Sequence, residues 1–366
     1  MEEDKYTKSY KIKNPNDLFD LIQGRSEIKD LRQNFIFRGV SKDHYKLEPS
    51  SLRNNESDLN KAISINDMPI YEVDKEIIKK NSIPEKDIEV YKGKFYLKVD
   101  KEYEHPQGVK FDPSKENEIQ IRKECKVLMN FMNRADKSGL KVNINSELRN
   151  LITNPYYYPS EYWPRTNFYE IIGLAQHYGM PTRFLDWSYD YKVSIYFALK
   201  DILNQENKKK SNGILWAFNY KLFDTPYHRN NPYEKFKLRF YRPEYYSNNF
   251  LHAQQGLFTV ILNDLVTKDK LPFDEIIKED FEKNNKNQLE TRPLRRSHSL
   301  TDEDIPEGEK IFYKFIIPSK IKAKILKEIY LNNYSEEYLF PGYTGVSEGI
   351  KNRAILDDLL KNQGDD

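Results

Sequence analysis

IIGLAQHYGMPTRFLDWSYDYKVSIYFAL, residues 171–199, is the stretch on which the reading of this chain turns. It gathers Gln176, His177, Tyr178, Thr182, Arg183, Asp186, Trp187 and Ser188 within thirteen residues, between two apolar segments. Buried polar groups need hydrogen-bond partners, so a stretch that served only packing would rarely collect so many, and the cluster marks a pocket. The spacing predicts a helix over 168–178, closed by Gly179 with Pro181 just beyond. Residues 183–188 then read as a short extended segment. Helical spacing returns over 191–203, with Val193, Tyr196, Phe197 and Leu203 apolar.

Working outward, residues 15–24 read as a short helix with Asn14 or Asn16 as cap and Gly24 at its end. Residues 33–40, 94–99, 213–218, 256–262 and 310–317 read as strands, the last stopped by Pro318. Residues 118–135 form the clearest amphipathic helix, and 319–328 a Lys-rich one. Helices and strands alternate irregularly, which predicts an α+β fold: mixed small sheets with flanking helices, without the regular alternation of a doubly wound sheet. Residues 263–307 are charged and polar and read as a surface excursion.

Composition supports a real core, because 27 Tyr and 20 Phe among 366 residues supply large apolar areas. Lys plus Arg is 59 against 57 acids, a net charge of +2, so there is no global electrostatic steering and any basic patch must be local. The one cysteine, Cys125, excludes an internal disulfide and reads as a buried small hydrophobe on a stripe with Ile121, Leu128, Met129 and Met132. The N-terminus has no apolar signal-like region and no run approaches ~18 apolar residues, so a cytoplasmic protein without a membrane partner is expected. No phosphate-binding loop, dinucleotide fingerprint, H-E-x-x-H or Cys pair occurs, and the histidines are scattered, so no metal site is expected. GVSEG, residues 345–349, formally matches a nucleophile elbow, but Pro341 and Gly342 before it read as a turn and no His follows Ser347. Arg292, Arg295 and Arg296, in RPLRRSHS, read as a solvated loop, or else as a contact to phosphate backbone.

Four segments carry a family resemblance. They are Phe37-Arg38-Gly39 followed by LEPSSLR (47–53), QHYGMPTRFLDWS (176–188), AQQGLF (253–258) and LFPGYTGVSEGI (339–350). In this order they resemble the FRG domain family, named for the tripeptide, as a single FRG-type domain over 1–366 with 55–117 and 263–307 as insertions. The element order is similar to that of NAD-dependent ADP-ribosyltransferases of the arginine–serine–glutamate type, which implies an ADP-ribosyltransferase-like core. On that resemblance Arg38 holds the NAD pyrophosphate by a bidentate guanidinium. Ser188 takes the serine position, Tyr178 or Trp187 stacks on nicotinamide, and Gln176, Thr182 and Arg183 complete the NAD-binding set. Gln254 or Gln255 falls where the glutamate is expected. A Gln carries no charge and cannot act as a base, so the acid role passes to Asp186 or Glu170, with His177 as a further general base.

Each residue also has a packing role to weigh. Arg38 pairs with a core acid such as Asp186; His177 caps its helix; Trp187 is core; Arg183 joins an ion network; the glutamines edge a strand. The resemblance implies transfer of ADP-ribose from NAD to a macromolecular acceptor (RNA, DNA or protein), as a bacterial toxin or anti-phage effector restrained by an antitoxin or chaperone. Two other classes compete with it. One is a metal-independent hydrolase or nuclease using His177 and Asp186, and the other a non-catalytic module that binds a nucleotide or a partner.

Overall fold

The computed structural model describes residues 4–53, 116–142, 163–204, 211–223, 238–244, 249–262, 272–290 and 302–362, with isolated residues between 59 and 97 and between 146 and 149. In chain order the elements are β1 (Thr7–Lys11), α1 (Pro15–Ile22), β2 (Phe35–Val40), β3 (Glu72–Val73), α2 (Lys75–Lys80), β4 (Ile88–Tyr91), β5 (Lys94–Leu97) and α3 (Glu116–Lys137). Then follow α4 (Tyr169–His177), β6 (Leu185–Ser188), α5 (Tyr191–Leu199), β7 (Gly213–Asn219), β8 (Leu238–Tyr241), α6 (Asn249–Ala253) and β9 (Gly256–Ile261). The chain closes with α7 (Phe273–Glu290), β10 (Phe312–Ile317), α8 (Lys322–Leu331), α9 (Glu336–Leu339) and α10 (Tyr343–Asn362). The chain forms two compact units: Met1–Glu48 with Leu185–Val260 and Pro272–Asp366, and Pro49–Phe184 with Ile261–Leu271.

The α+β class is observed. The first unit is built on one seven-stranded sheet, larger than the small sheets expected, in the order β1-β10-β7-β2-β6-β9-β8. β1 runs parallel to β10, while β10–β7, β7–β2, β2–β6 and β6–β9 are antiparallel. Strand alternation sorts the two faces. Phe35, Phe37, Leu215, Ala217, Tyr313 and Phe315 join one core with Leu18 and Ile22 of α1, Ile195 and Leu199 of α5, and Ile325 and Ile329 of α8. α1 begins where expected, because Asn14 and Asp17 form a reciprocal capping box, and it ends before Gly24 at φ +70°.

The opposite face carries an aromatic cluster. Trp187, Phe218 and Phe312 meet Phe273 of α7 at ring-centroid distances of 5.7, 5.3 and 6.3 Å. Within the stretch read as a charged excursion, Phe273, Ile277 and Phe281 recur every fourth residue and are buried, which turns one side of α7 into core. Pro341 and Gly342 form the expected turn, and GVSEG after it lies inside α10. Its glycines are there for close packing: a Cβ on Gly345 would lie 2.0 Å from the Phe340 carbonyl oxygen, and one on Gly349 would lie 2.4 Å from the Glu337 carboxyl carbon. Buried Glu336 ties this corner together, accepting from Tyr196 Oη at 2.9 Å, Tyr330 Oη at 2.8 Å and Asn352 Nδ2 at 2.7 Å.

In the second unit the described parts of 72–97 form a three-stranded antiparallel sheet, β3-β5-β4, and α3 lies against α4. The inward stripe of α3 is Ile121, Glu124, Val127, Leu128 and Met132, so Cys125 is only partly buried. Residues 292–299 and most of 55–117 lie outside the described residues. Among the described residues no helix is long and apolar enough to cross a membrane.

Candidate functional site

β2, β6 and β9 are consecutive in the sheet of the first unit, and three of the motif segments lie on them or next to them. Phe37 pairs with Ser188, and Ser188 with Gly256. Arg38 Nη1 reaches Asp186 twice, at 2.7 Å to its carbonyl oxygen and at 2.6 Å to its carboxylate. The Arg38 side chain is 13% exposed and that of Asp186 62%, so the pair runs from the sheet to solvent. The Arg38 Nε is buried with no hydrogen-bond partner among the described residues. Ser188 Oγ donates to the Gln254 carbonyl oxygen at 2.7 Å and accepts from the Asp190 N–H at 2.9 Å. The Gln254 amide donates to the Leu339 carbonyl oxygen at 3.2 Å. Trp187 is buried, and its indole N–H donates to Thr259 Oγ1 at 2.9 Å. It is therefore core to the sheet face and not the exposed nicotinamide platform that the resemblance allowed.

The other candidates belong to the second unit. α4 ends in a Schellman turn: Met180 N–H donates to the Ala175 carbonyl and Gly179 N–H to that of Gln176, with Gly179 at φ +81°. Beyond it Thr182 Oγ1 donates to the Gln176 side chain and accepts from the Phe184 N–H at 3.2 Å. Ser51 N–H donates to the Thr182 carbonyl at 3.0 Å, so LEPSSLR and MPTRF are neighbours. Arg183 is buried against Glu124 at 3.0 Å. The same carboxylate accepts from Trp163 Nε1 and Ser51 Oγ, both at 2.8 Å, and from Gln120 Nε2 at 2.9 Å. Arg183 is thus the partner of a buried acid. Tyr178 is 63% exposed and stacks on Phe131 at 6.5 Å. Half-buried His177 packs edge-on against Tyr178 at 5.1 Å, and burial lowers its imidazole below the usual value.

A cleft of about 560 Å3 in the first unit begins one residue beyond each of Ser188 and Gln254, at Tyr189 and Gln255. Its other walls, Tyr220, Lys221, Arg242, His252 and Tyr338, carry no motif and went unmarked in the sequence, as did Glu124. Each owes its place to a pairing between distant segments, which spacing along the chain does not reveal.

Residues 121–208 match the family model of the FRG domain. The match takes in QHYGMPTRFLDWS and both its flanking helices, and Phe37-Arg38-Gly39 lies outside it. No curated protein and no solved structure matches the chain.

Proposed function

We propose that this chain binds NAD along the β2–β6–β9 seam of its first unit and transfers ADP-ribose to a macromolecular acceptor. One observation carries the reading: segments far apart in sequence meet on consecutive strands, with Arg38, Asp186, Ser188 and Gln254 along one seam. Arg38 is the pyrophosphate ligand, since its guanidinium is already held at one edge by Asp186 and has further donors to offer. Ser188, fixed by two hydrogen bonds, shapes the turn that holds the nicotinamide riboside and is not a nucleophile. The N-glycosidic bond breaks with its electron pair leaving on neutral nicotinamide. The acceptor bonds to the ribose carbon and gives its proton to Asp186, the exposed carboxylate of the seam.

Purified protein is incubated with labelled NAD alone and with RNA, DNA or cell lysate, and both free nicotinamide and label on macromolecules are followed. Wild type should transfer label. Arg38→Lys, which keeps the charge and loses the fork, should lower transfer at least about tenfold. Absence of nicotinamide release with every acceptor would sink the transferase. A second reading, a binding module without turnover, is favoured by the internal hydrogen bonds that already occupy Ser188 and Gln254. Calorimetric NAD binding that Arg38→Lys weakens, with no product formed, would select it.

A further inference from the structure

We infer that the cleft at Tyr189 and Gln255 takes a nucleotide, its base stacked on the aromatic and guanidinium planes and its phosphate paired with Arg242 and Lys221. Its volume, about 560 Å3, lies within the range of small-ligand sites. Among the described residues the lining combines three tyrosines with Lys221, Arg242 and His252, and holds no carboxylate. In a chain with nearly as many acids as bases, such a one-sided lining suits an anion.

The aromatic part is braced. Tyr189 meets Tyr220 edge-on at 5.5 Å, and its backbone N–H donates to the Gln255 carbonyl at 3.1 Å. Arg242 lies over the Tyr189 ring at 4.9 Å and donates through Nη2 to the Tyr189 hydroxyl. That contact leaves Nε and Nη1 of Arg242 for phosphate and presents a planar cation on which a base can stack. Lys221 sits 5.2 Å from the Tyr220 ring centroid. Neither cation has a carboxylate partner among the described residues. Tyr338, 43% exposed and propped edge-on by Tyr334 at 5.3 Å, is the open ring of the cleft. Rings braced beside cations that no described carboxylate neutralises are what single-stranded nucleic acids and free nucleotides both require.

The site goes beyond the NAD reading and is tested without NAD turnover. Short labelled single-stranded RNA and DNA are titrated with the full chain at low salt, with fluorescence anisotropy as readout and adenosine monophosphate as competitor. Binding is expected. Arg242→Ala and Tyr338→Ala should each weaken it about tenfold, and Tyr338→Phe, which keeps the ring, should leave it within about twofold. Displacement by the mononucleotide at comparable concentration identifies a free nucleotide as the ligand, and resistance to it identifies a strand; either supports the site. No binding to any probe would overturn it, and so would binding unchanged in both alanine variants while circular dichroism shows them folded.

Discussion

At Gly39 a single methyl group would meet the Ser194 carbonyl oxygen at 1.8 Å and the Ala198 nitrogen at 2.6 Å. Both are backbone atoms of α5, so no rotamer change relieves the clash. The tripeptide then has a physical reading residue by residue. Phe37 fills the core edge-on to Tyr191 at 5.9 Å, Arg38 crosses to Asp186, and Gly39 lets α5 lie directly on β2. Gly39→Ala should destabilise by about 3 kcal/mol or more, the upper range for overpacking, and lower the melting temperature by roughly 6–10 °C. A melt within about 2 °C of wild type, followed by circular dichroism, would mean that α5 can stand off the strand at no cost. Local pattern made the Arg38–Asp186 pair legible, because both residues fall in recognisable motifs. The Arg183–Glu124 pair was not legible, since an acid on an amphipathic helix looks like a solvated residue until its partner is known.

α7 shows the same limit for a whole element. Averaged over 263–307 the sequence is polar, yet Phe273, Ile277 and Phe281 alone decide that this helix covers the sheet. Helices and strands whose pattern is continuous, such as α1, α3, β7 and β10, were readable nearly to their ends. The strand order was not, because the adjacency of β2, β6 and β9 depends on pairings between distant segments, Phe37 with Ser188 and Ser188 with Gly256. The glycines of α10 gave a formal elbow match because glycine serves tight helix packing as well as sharp turns. α7 also carries a pH dependence. Burial pushes the Asp274 carboxyl up to about 6 from a usual 3.8, against the pull of Lys278 at 3.9 Å. The folded state therefore binds this proton more tightly than the unfolded chain. The stability it contributes is complete below about pH 4 and is lost as pH rises through about 6, by at most about 3 kcal/mol. Asp274→Asn cannot ionise, so its melting temperature relative to wild type should be higher at pH 8 than at pH 4. A difference that stays constant between those two pH values would show that the carboxylate is not desolvated in the folded protein.

Across the whole molecule the charges nearly cancel, 59 basic against 57 acidic residues, so long-range attraction cannot drive nucleic-acid binding. If the aromatic cleft is the site, Arg242 and Lys221 are the two permanent cations among its described residues to pair with phosphate. Each phosphate contact to a single strand contributes a slope of about −0.7 to log K against log salt, so the wild type should give about −1.4. Lys221→Ala should bring the slope to about −0.7, because one counterion-releasing contact is gone. Tyr338→Ala should weaken binding at every salt concentration and leave the slope unchanged, because stacking releases no counterions. These two behaviours separate the electrostatic from the aromatic half of the cleft within one titration series. A slope much steeper than about −1.4 that persists in both Arg242→Ala and Lys221→Ala would assign the binding to other cations, with RPLRRSHS at 292–299 the first to neutralise.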